Sequence, residues 1–447
     1  MPPLRLMYIV AFVLIMGTNH APEARAQSGD DAITTEILFP LTTDHVHGST
    51  LVELPGGDLL AGWFQGSGER QADDVAIMGA RKEKGNPAWS TPFVLADVPA
   101  FPDINPVLFV DGDERLWLLW YTVLANQWET SLPKYRISTD YADGAPQWQW
   151  QDVLHVKPGG QTEHGIQPDD PFVVSVTDQL ARYTRRLAAR GFFEAQNARE
   201  AWNAFVRRTH SNASGEDMMR RGRRYTDTTA YIAQPMGYPY FRRVGWQTRN
   251  KPLLLADGSI IVPTYSDGFG FSLMAITHDG GRTWESSAPL VGAGNIQPTL
   301  GQRRDGTLVA LMRDNGPAPK RLHISASSDG GLTWSDVHDT DLNNPGSAAD
   351  LVVLNSGTWL LVWNDTEAGR HRLTAALSDD EGHSWPVRRD LEYDGRGREA
   401  TRSHYPAVIQ DSDGMIHVLY SFHHEGDQSA RKTIKHAQFN EAWVRGQ

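Results

Sequence analysis

Short apolar runs separated by glycine-containing turns recur along most of the chain. Each run has the length of a β-strand, ends in a turn such as Asp-Gly or Asn-Ser-Gly, and restarts as a second β-rich run. This pattern indicates a β-hairpin. The turn glycines of six such hairpins are Gly57, Gly112, Gly258, Gly306, Gly357 and Gly414.

The spacing of these hairpins predicts the architecture. The turn glycines recur about every 50 residues, a unit that holds four strands and is typical of a β-propeller blade. One interval, from Gly112 to Gly258, is longer by an insertion. We therefore predict an all-β, six-bladed β-propeller over residues 33–447, with an insertion between blades two and three.

A second repeat runs in phase with the hairpins. The segments 277–284, 327–334 and 378–385 each place an Asp, a Gly and a Ser or Thr before a final Trp. The Asp can cap turn amides, the Gly can adopt a positive φ, and the Trp can pack between sheets, so a structural role is predicted. These segments resemble the Asp boxes of the sialidase-like (neuraminidase) superfamily of BNR-repeat propellers, and the resemblance covers residues 33–447 apart from the insertion. It implies a six-bladed propeller in which residues 33–40 complete the last blade beside residues 416–439.

The resemblance implies roles for residues at the propeller channel. Sialidases clamp the substrate carboxylate with three arginines and use a Tyr as nucleophile. Tyr405 matches the nucleophile, while Arg313 and Arg372 match two clamp residues, with Arg370 an equal competitor for Arg372 on spacing. Cationic neighbours can orient and activate a phenol. Each of these residues could instead have a purely structural role.

Other positions carry the rest of the implied site. The acidic loop that follows the first hairpin lies where sialidases carry their acid/base, and Asp74 is favoured there, with Asp73 next. A loop carboxylate at the channel mouth can act as a general acid. Asn250 and Lys251, at the entry of the third inner strand, are expected to point toward the same mouth and bind substrate, although they could equally be loop scaffolding.

Two positions depart from the sialidase pattern. His47 stands where the family has its first Arg, and Gln297 stands where the family has the Glu that activates the nucleophile. These replacements weaken the prediction of sialic acid as the sugar, because bidentate Arg contacts carry much of carboxylate recognition. His47 near Tyr405 also suits β-elimination from a uronic acid, in which Tyr or His removes the proton beside the carboxylate.

Composition excludes several other classes. The chain has 447 residues, no Cys and a formal charge of −12. The absence of Cys excludes thiolate chemistry and Cys-ligated metal, and the negative charge argues against a nucleic-acid partner. No H-E-x-x-H, phosphate-loop or dinucleotide motif occurs, so neither a metal nor a cofactor is predicted.

The first residues resemble an export signal. Arg5 precedes an apolar run that is too short to span a bilayer, and Ala24-Arg25-Ala26 forms a small-x-small cleavage pattern. We predict a signal peptide over residues 1–26, cleavage near Ala26, and a bacterial periplasmic or secreted protein without stable membrane insertion. Uncleaved anchoring is the weaker alternative.

The insertion over residues 158–247 differs from the rest of the chain. Its apolar residues recur at helical spacing, Gly191 separates two predicted helices, and residues 181–247 contain 13 Arg against five acidic residues. We predict a mainly helical, basic lid or subsite wall that attracts an anionic saccharide. The alternative is that its apolar face docks on the propeller while the arginines are merely solvated.

Together these features predict an exported, sialidase-like exo-glycoside hydrolase that acts as a monomer on an acidic oligosaccharide or glycoconjugate. A uronate polysaccharide lyase on the same propeller and a non-catalytic carbohydrate-binding propeller remain as alternatives.

Overall fold

The computed structural model describes residues 33–159, 169–214, 242–424 and 431–447. Within these ranges the strands form six antiparallel sheets, so the six-bladed β-propeller is confirmed. After β1 (Thr34–Ile37), the first three sheets are β2 (His45–Glu53), β3 (Leu59–Gly66), β4 (Ala76–Lys82) and β5 (Phe93–Ala96); β6 (Asp103–Val110), β7 (Leu116–Val123), β8 (Ser131–Ser138) and β9 (Trp150–Val153); and β10 (Gln247–Thr248), β11 (Leu253–Leu254), β12 (Ile260–Ser266), β13 (Phe271–Thr277) and β14 (Glu285–Ser286).

The second half of the ring repeats this order. Its sheets are β15 (Asn295–Gln302), β16 (Leu308–Asp314), β17 (Arg321–Ser327) and β18 (His338–Asn343); β19 (Asp350–Val353), β20 (Trp359–Trp363), β21 (Arg372–Ser378) and β22 (Val387–Tyr393); and β23 (Arg402–Gln410), β24 (Ile416–His424) and β25 (Arg431–Phe439).

The last blade takes its outer strand from the beginning of the described chain. β1 pairs antiparallel with β25, from Thr34 opposite Gln438 to Ile37 opposite Lys435. This pairing closes the ring and confirms that residues 33–40 complete the last blade. The inner strands of adjacent blades contact one another around the ring, so their residues converge on one central channel.

The three Asp boxes are turns between the third and fourth strands of their blades. In the fourth blade, Asp329 Oδ1 accepts a hydrogen bond of 2.9 Å from the Thr333 amide, and the Trp334 indole donates to the Gly331 carbonyl at 2.9 Å. Asp279 and Asp380 accept the corresponding bonds in the third and fifth blades. Each Asp side chain therefore accepts a hydrogen bond from an amide of its own turn, as the predicted structural role requires.

The insertion contains two helices, as predicted. Asp170 accepts hydrogen bonds from the first amides of α1 (Pro171–Ala189), and Gly191 takes a left-handed conformation that ends it. α2 is Ala198–Ala213, and a C-terminal helix, α3, spans Glu441–Arg445. Single 3₁₀ turns lie at Trp128–Thr130, Phe192–Glu194 and Gly397–Glu399.

The basic side chains of α1 dock the helix on the propeller. Arg182 and Arg186 bond the carboxylate of Asp336, and Arg190 bonds Asp339 on the outer strand of the fourth blade. The apolar face of the insertion packs into the core of the third and fourth blades. None of the described residues of α1 and α2 lines the central cavity, so the predicted lid is not formed by these two helices.

A buried histidine beside this docking face makes stability depend on pH. His323 lies 3.5 Å from Asp314 and 3.1 Å from Asp339. Although burial alone lowers the pKa of His323, the hydrogen bonds that its protonated ring donates to the two carboxylates outweigh this effect and raise the pKa to about 9. Because this pKa exceeds the value of about 6.5 in an unfolded chain, the stabilisation is complete below pH 6.5 and is lost as pH rises through 9.

We therefore expect the free energy of unfolding to fall by up to about 3 kcal/mol between pH 6.5 and 9. Urea unfolding across this range measures it, and His323→Gln should flatten the dependence. An equal slope in wild type and variant would contradict the assignment to His323.

Two predictions concern residues outside the described ranges. The signal peptide over residues 1–26 lies there, as does much of the insertion between residues 215 and 241. Among the helices that the structure describes, not one has the length and apolar character needed to cross a membrane.

Candidate functional site

The same backbone irregularity occurs in four inner strands. Each pairs regularly with its neighbour, slips at one point, and places there a residue with positive φ: Gly48, Asn105, Gln297 or Tyr405. Positive φ is unfavourable for residues other than Gly and is concentrated at functional sites. The bulges turn the side chains of Asn105, Gln297 and Tyr405 toward the channel.

The channel opens into a polar cavity of about 440 Å³. It combines aromatic, cationic and acidic side chains from all six blades. They are His45, His47, Glu69, Asn105, Tyr121, Trp128, Tyr265, Asp267, Gln297, Arg313, Arg370, Arg402, His404, Tyr405, His423 and Lys432. A polar cavity at the centre of a propeller, where several loops converge, is the expected place for a binding or catalytic site.

The Tyr405 hydroxyl lies at the centre of a hydrogen-bond network. Its oxygen accepts from Arg313 Nη1 at 2.7 Å and from Gln297 Nε2 at 3.1 Å. Arg313 Nη1 also donates to Gln297 Oε1 at 3.1 Å, so the two donors hold each other in place. The amide of Asn105 supports the network from behind by donating to the hydroxyls of Tyr121 and Tyr265. Two donors aimed at one phenol oxygen stabilise negative charge that develops on it.

Cations surround this phenol. The guanidinium of Arg370 lies 5.2 Å from the centre of the Tyr405 ring, and that of Arg249 lies 5.0 Å from it. Arg370 is held by the carbonyl of Gly346 and by His404, at 3.0 and 3.1 Å. With Arg313 and Arg402, Arg370 gives the cavity three arginines, a set that suits a carboxylate or another anion.

The cavity histidines are neutral at neutral pH. Burial lowers the pKa of His45 to about 4 and that of His423 to about 3, and it holds those of His47 and His404 well below their usual value. The His47 ring lies 4.1 Å from the Tyr405 ring, centre to centre, and its Nδ1 is 2.8 Å from Ser421 Oγ. His47 therefore keeps an unprotonated ring nitrogen beside the phenol ring.

Two carboxyl groups face these cations. Burial raises the pKa of Glu69 and of Asp267, and this effect exceeds the opposing influence of nearby arginines. Glu69 Oε1 lies 3.9 Å from His45 Nε2 at the rim. A carboxyl group with a raised pKa retains its proton nearer to neutral pH, which is the property that a general acid needs.

The structure corrects the expected position of Arg372. This residue begins β21 on the surface, where its Nε donates to both oxygens of Asp390 at 2.9 and 3.0 Å. Arg370, the competitor on spacing, lies in the loop before the strand and reaches the cavity. The two residues differ because a strand directs the side chain of its first residue by the pleat, whereas the preceding loop turns inward.

Asp73 and Asp74 also lie away from the cavity. Both are exposed, and the Asp74 carboxylate accepts hydrogen bonds from the Ser67 amide and hydroxyl, which lower its pKa. The Asp74 side chain therefore stabilises its own loop by bonding Ser67. The carboxyl group that this loop places in the cavity is that of Glu69.

Asn250 and Lys251 lie beneath the cavity rather than at its mouth. The Asn250 amide donates to the backbone carbonyls of Gln297 and Pro298, and Lys251 Nζ bonds Asp350 at 2.7 Å. Neighbouring Arg249 donates to the carbonyls of Ser49 and Pro406. These contacts join the inner strands of several blades. Asn250 and Lys251 therefore fit the alternative role as loop scaffolding.

Of the nine predicted site residues, the cavity brings together four, which are His47, Gln297, Arg313 and Tyr405. Sequence reasoning missed Asn105, Tyr121, Tyr265 and Asp267. One signal could have found Asn105, because Asn105, Gln297 and Tyr405 each precede a Pro at the same point of a repeat.

Comparisons with known proteins identify the repeat family of the chain. A BNR repeat-like domain family matches residues 57–175 and 192–418. A sialidase of Micromonospora viridifaciens is 25% identical over 178 residues, which are 38% of this chain and only 25% of that protein.

Solved structures show the same fold at low identity. A protein of unknown function from Dyadobacter fermentans superposes with a TM-score of 0.60 at 14% identity, over 91% of this chain and 98% of that one. The NanB sialidase of Streptococcus pneumoniae gives 0.59 at 12% identity, over 91% and 70% of the respective chains. Since the family match covers most of the chain and the propeller, Asp boxes and cavity agree with it, the protein belongs to the BNR repeat-like domain family within the sialidase-like superfamily.

Proposed function

We propose that the protein is a glycoside hydrolase that acts on a carboxylate-bearing sugar in the central cavity. The observation that carries this proposal is the Tyr405 oxygen, which accepts hydrogen bonds from Arg313 and Gln297 within a ring of arginines. This arrangement provides a nucleophile, stabilisation for its charge, and cations for an acidic substrate in one cavity.

Each cavity residue has a separate role in the proposed reaction. Tyr405 Oη attacks the anomeric carbon, and its proton passes to neutral His47. The glycosidic C–O bond breaks, and the leaving oxygen takes its proton from Glu69. Water then attacks the anomeric carbon and gives its proton to Glu69, while the bond to Tyr405 breaks and the released oxygen takes back the proton held by His47. Arg370 and Arg402 hold the substrate carboxylate throughout.

Glu69→Gln tests the acid. We expect turnover of a natural glycoside to fall about 10²–10³-fold, because a positioned general acid contributes about that factor. Turnover of an activated aryl glycoside should fall much less, because its leaving group needs little protonation. Steady-state kinetics on both substrates measures the difference.

Asp74→Asn is the matched control, since it removes a carboxylate from the same loop outside the cavity. It should leave both rates close to wild type. If Asp74→Asn lost more activity than Glu69→Gln, the assignment of the acid would be wrong.

A uronate lyase is the second candidate, and the His47–Tyr405 pair favours it. A neutral imidazole 4.1 Å from a phenol ring supplies a base for the proton beside a carboxylate. In that reaction the arginines neutralise the carboxylate, and the C5–H proton leaves to Tyr405 or His47. The C4–O bond then breaks to give an unsaturated sugar, and the leaving oxygen takes its proton from Glu69.

Product mass separates the candidates. The purified protein is incubated with a panel of sialylated and uronate-containing glycans, and released products are weighed by mass spectrometry. Hydrolysis adds one water to the products, whereas elimination adds none and produces ultraviolet absorbance. Binding without any product would contradict both reactions and favour a carbohydrate-binding propeller.

A further inference from the structure

Three histidines from two adjacent blades meet at one corner of the cavity. His47 is on β2, His404 on β23 and His423 on β24. All three are buried, and one nitrogen of each lies within 4.8 Å of the other two. We propose that these three imidazoles form a binding site for a divalent transition metal of the zinc type.

The distances match such a site. His404 Nε2 and His423 Nδ1 are 3.4 Å apart. Two nitrogens bound tetrahedrally to zinc at about 2.0–2.1 Å are separated by about 3.4 Å. The three ring centres lie 4.6, 4.8 and 5.7 Å from one another, and imidazoles around one tetrahedral ion have centres about 5 Å apart.

Neighbouring groups hold two of the rings in the required tautomer. His423 Nε2 lies 3.0 Å from the Val46 carbonyl, which can only accept, so Nε2 carries the proton and Nδ1 has the free lone pair. His47 Nδ1 lies 2.8 Å from Ser421 Oγ, which leaves Nε2 as the ligand atom. Backbone carbonyls and hydroxyls commonly orient metal-binding histidines in this way.

The position of the proton on His404 differs between the metal-free site and the metal-bound site. Its Nδ1 lies 3.1 Å from Arg370 Nη1, which can only donate, so in this arrangement the proton of His404 is on Nε2. A metal at Nε2 moves that proton to Nδ1, where it repels the Arg370 donor. Metal binding and the Arg370–His404 hydrogen bond therefore exclude each other, and a bound ion releases the guanidinium toward the cavity.

The surrounding charges select the type of ion. Four cationic side chains lie close to the histidines and oppose a bound cation: Arg249, Arg370, Arg402 and Lys432. Glu69 and Asp267 in the same cavity offset part of this charge. Binding must then rest on the affinity of neutral nitrogen donors rather than on charge. Three imidazoles favour Zn²⁺, Cu²⁺ or Ni²⁺ over Mg²⁺ or Ca²⁺.

The ion also has a role, which rests on the proposed function. The sialidase resemblance places an Arg at the position of His47, and this chain lacks it. A metal held by His47 supplies a positive charge at the same place. With the metal on Nε2, His47 no longer accepts the Tyr405 proton, which passes to solvent water instead. The fourth coordination position of the metal is then available to the substrate carboxylate.

The test is metal binding by the full chain without substrate. Chelator-treated protein is titrated with Zn²⁺ by calorimetry and with Co²⁺ by visible absorption. We expect one tight site and the intense absorption of tetrahedral Co²⁺. His423→Asn should weaken binding at least about 100-fold, and Ser421→Ala about 10- to 100-fold, as expected for a residue that orients a ligand.

His417→Asn is the matched control, because His417 is also buried and is stacked on His436 at 5.2 Å. It should bind Zn²⁺ like wild type. Wild type without a tight site, Co²⁺ in octahedral geometry, or unchanged binding by a folded His423→Asn would each overturn the inference. If His423→Asn does not fold, the inference is tested by the Co²⁺ spectrum of the wild type and by the Zn²⁺ affinity of Ser421→Ala. Tight binding without turnover would remove only the role in catalysis.

Discussion

Tyr405→Phe is expected to lower turnover at least about a thousandfold, because in the proposed hydrolase the phenol oxygen forms the bond to the sugar. The variant retains the aromatic ring that contacts His47 and the two nearby arginines. Substrate affinity should therefore change little. Single-turnover kinetics, together with binding measured by calorimetry, separates these two effects.

A fluorinated glycoside should trap the intermediate on wild type. Peptide mapping is expected to find the sugar on Tyr405, and no adduct should form on the variant. The exposed Tyr393 provides the control, since Tyr393→Phe should behave as wild type. Near-normal turnover by Tyr405→Phe would contradict both the hydrolase and the lyase as assigned.

Arg370→Ala is expected to reduce kcat/KM for a carboxylate-bearing substrate by about 10- to 100-fold. A hydrogen bond between charged groups contributes about 1.5–3 kcal/mol, and here the substrate carboxylate would lose one. The methyl ester of the same substrate should lose much less, because it presents no negative charge. Comparing the two substrates isolates recognition of the carboxylate.

Arg372→Ala is an unusually close control for this prediction. The residue is two positions away, has the same side chain, and forms its ion pair with Asp390 on the surface. Its removal should leave kcat/KM for both substrates near the wild-type value. Equal losses for acid and ester in Arg370→Ala would show that Arg370 does not read the carboxylate.

The fold could be predicted from sequence because its signals are local. Asp-Gly turns and Asp boxes are each satisfied within a few residues, as the bonds from Asp329 to Thr333 illustrate. Their regular recurrence then specified the number of blades. The pairing of β1 with the last blade was expected from the resemblance to sialidase-like propellers and not from the count of repeats.

The site was less predictable because its side chains depend on loops and bulges. Glu69 and Asp74 share one loop, and only the bonds from Ser67 to Asp74 show which carboxylate turns outward. Arg370 and Arg372 differ only in being before or within a strand. The direction of a side chain at such points is decided by contacts with other blades, which sequence spacing does not contain.

The pairing of β1 with β25 also constrains the order of folding. These strands are joined by hydrogen bonds but lie about as far apart in sequence as the described chain allows. During synthesis from the N-terminus, β1 has no partner until Arg431–Phe439 has been made. Contacts of such long range form slowly, so the sixth blade is expected to be the last to fold, and pulsed hydrogen exchange during refolding should find its amides protected after those of the other five.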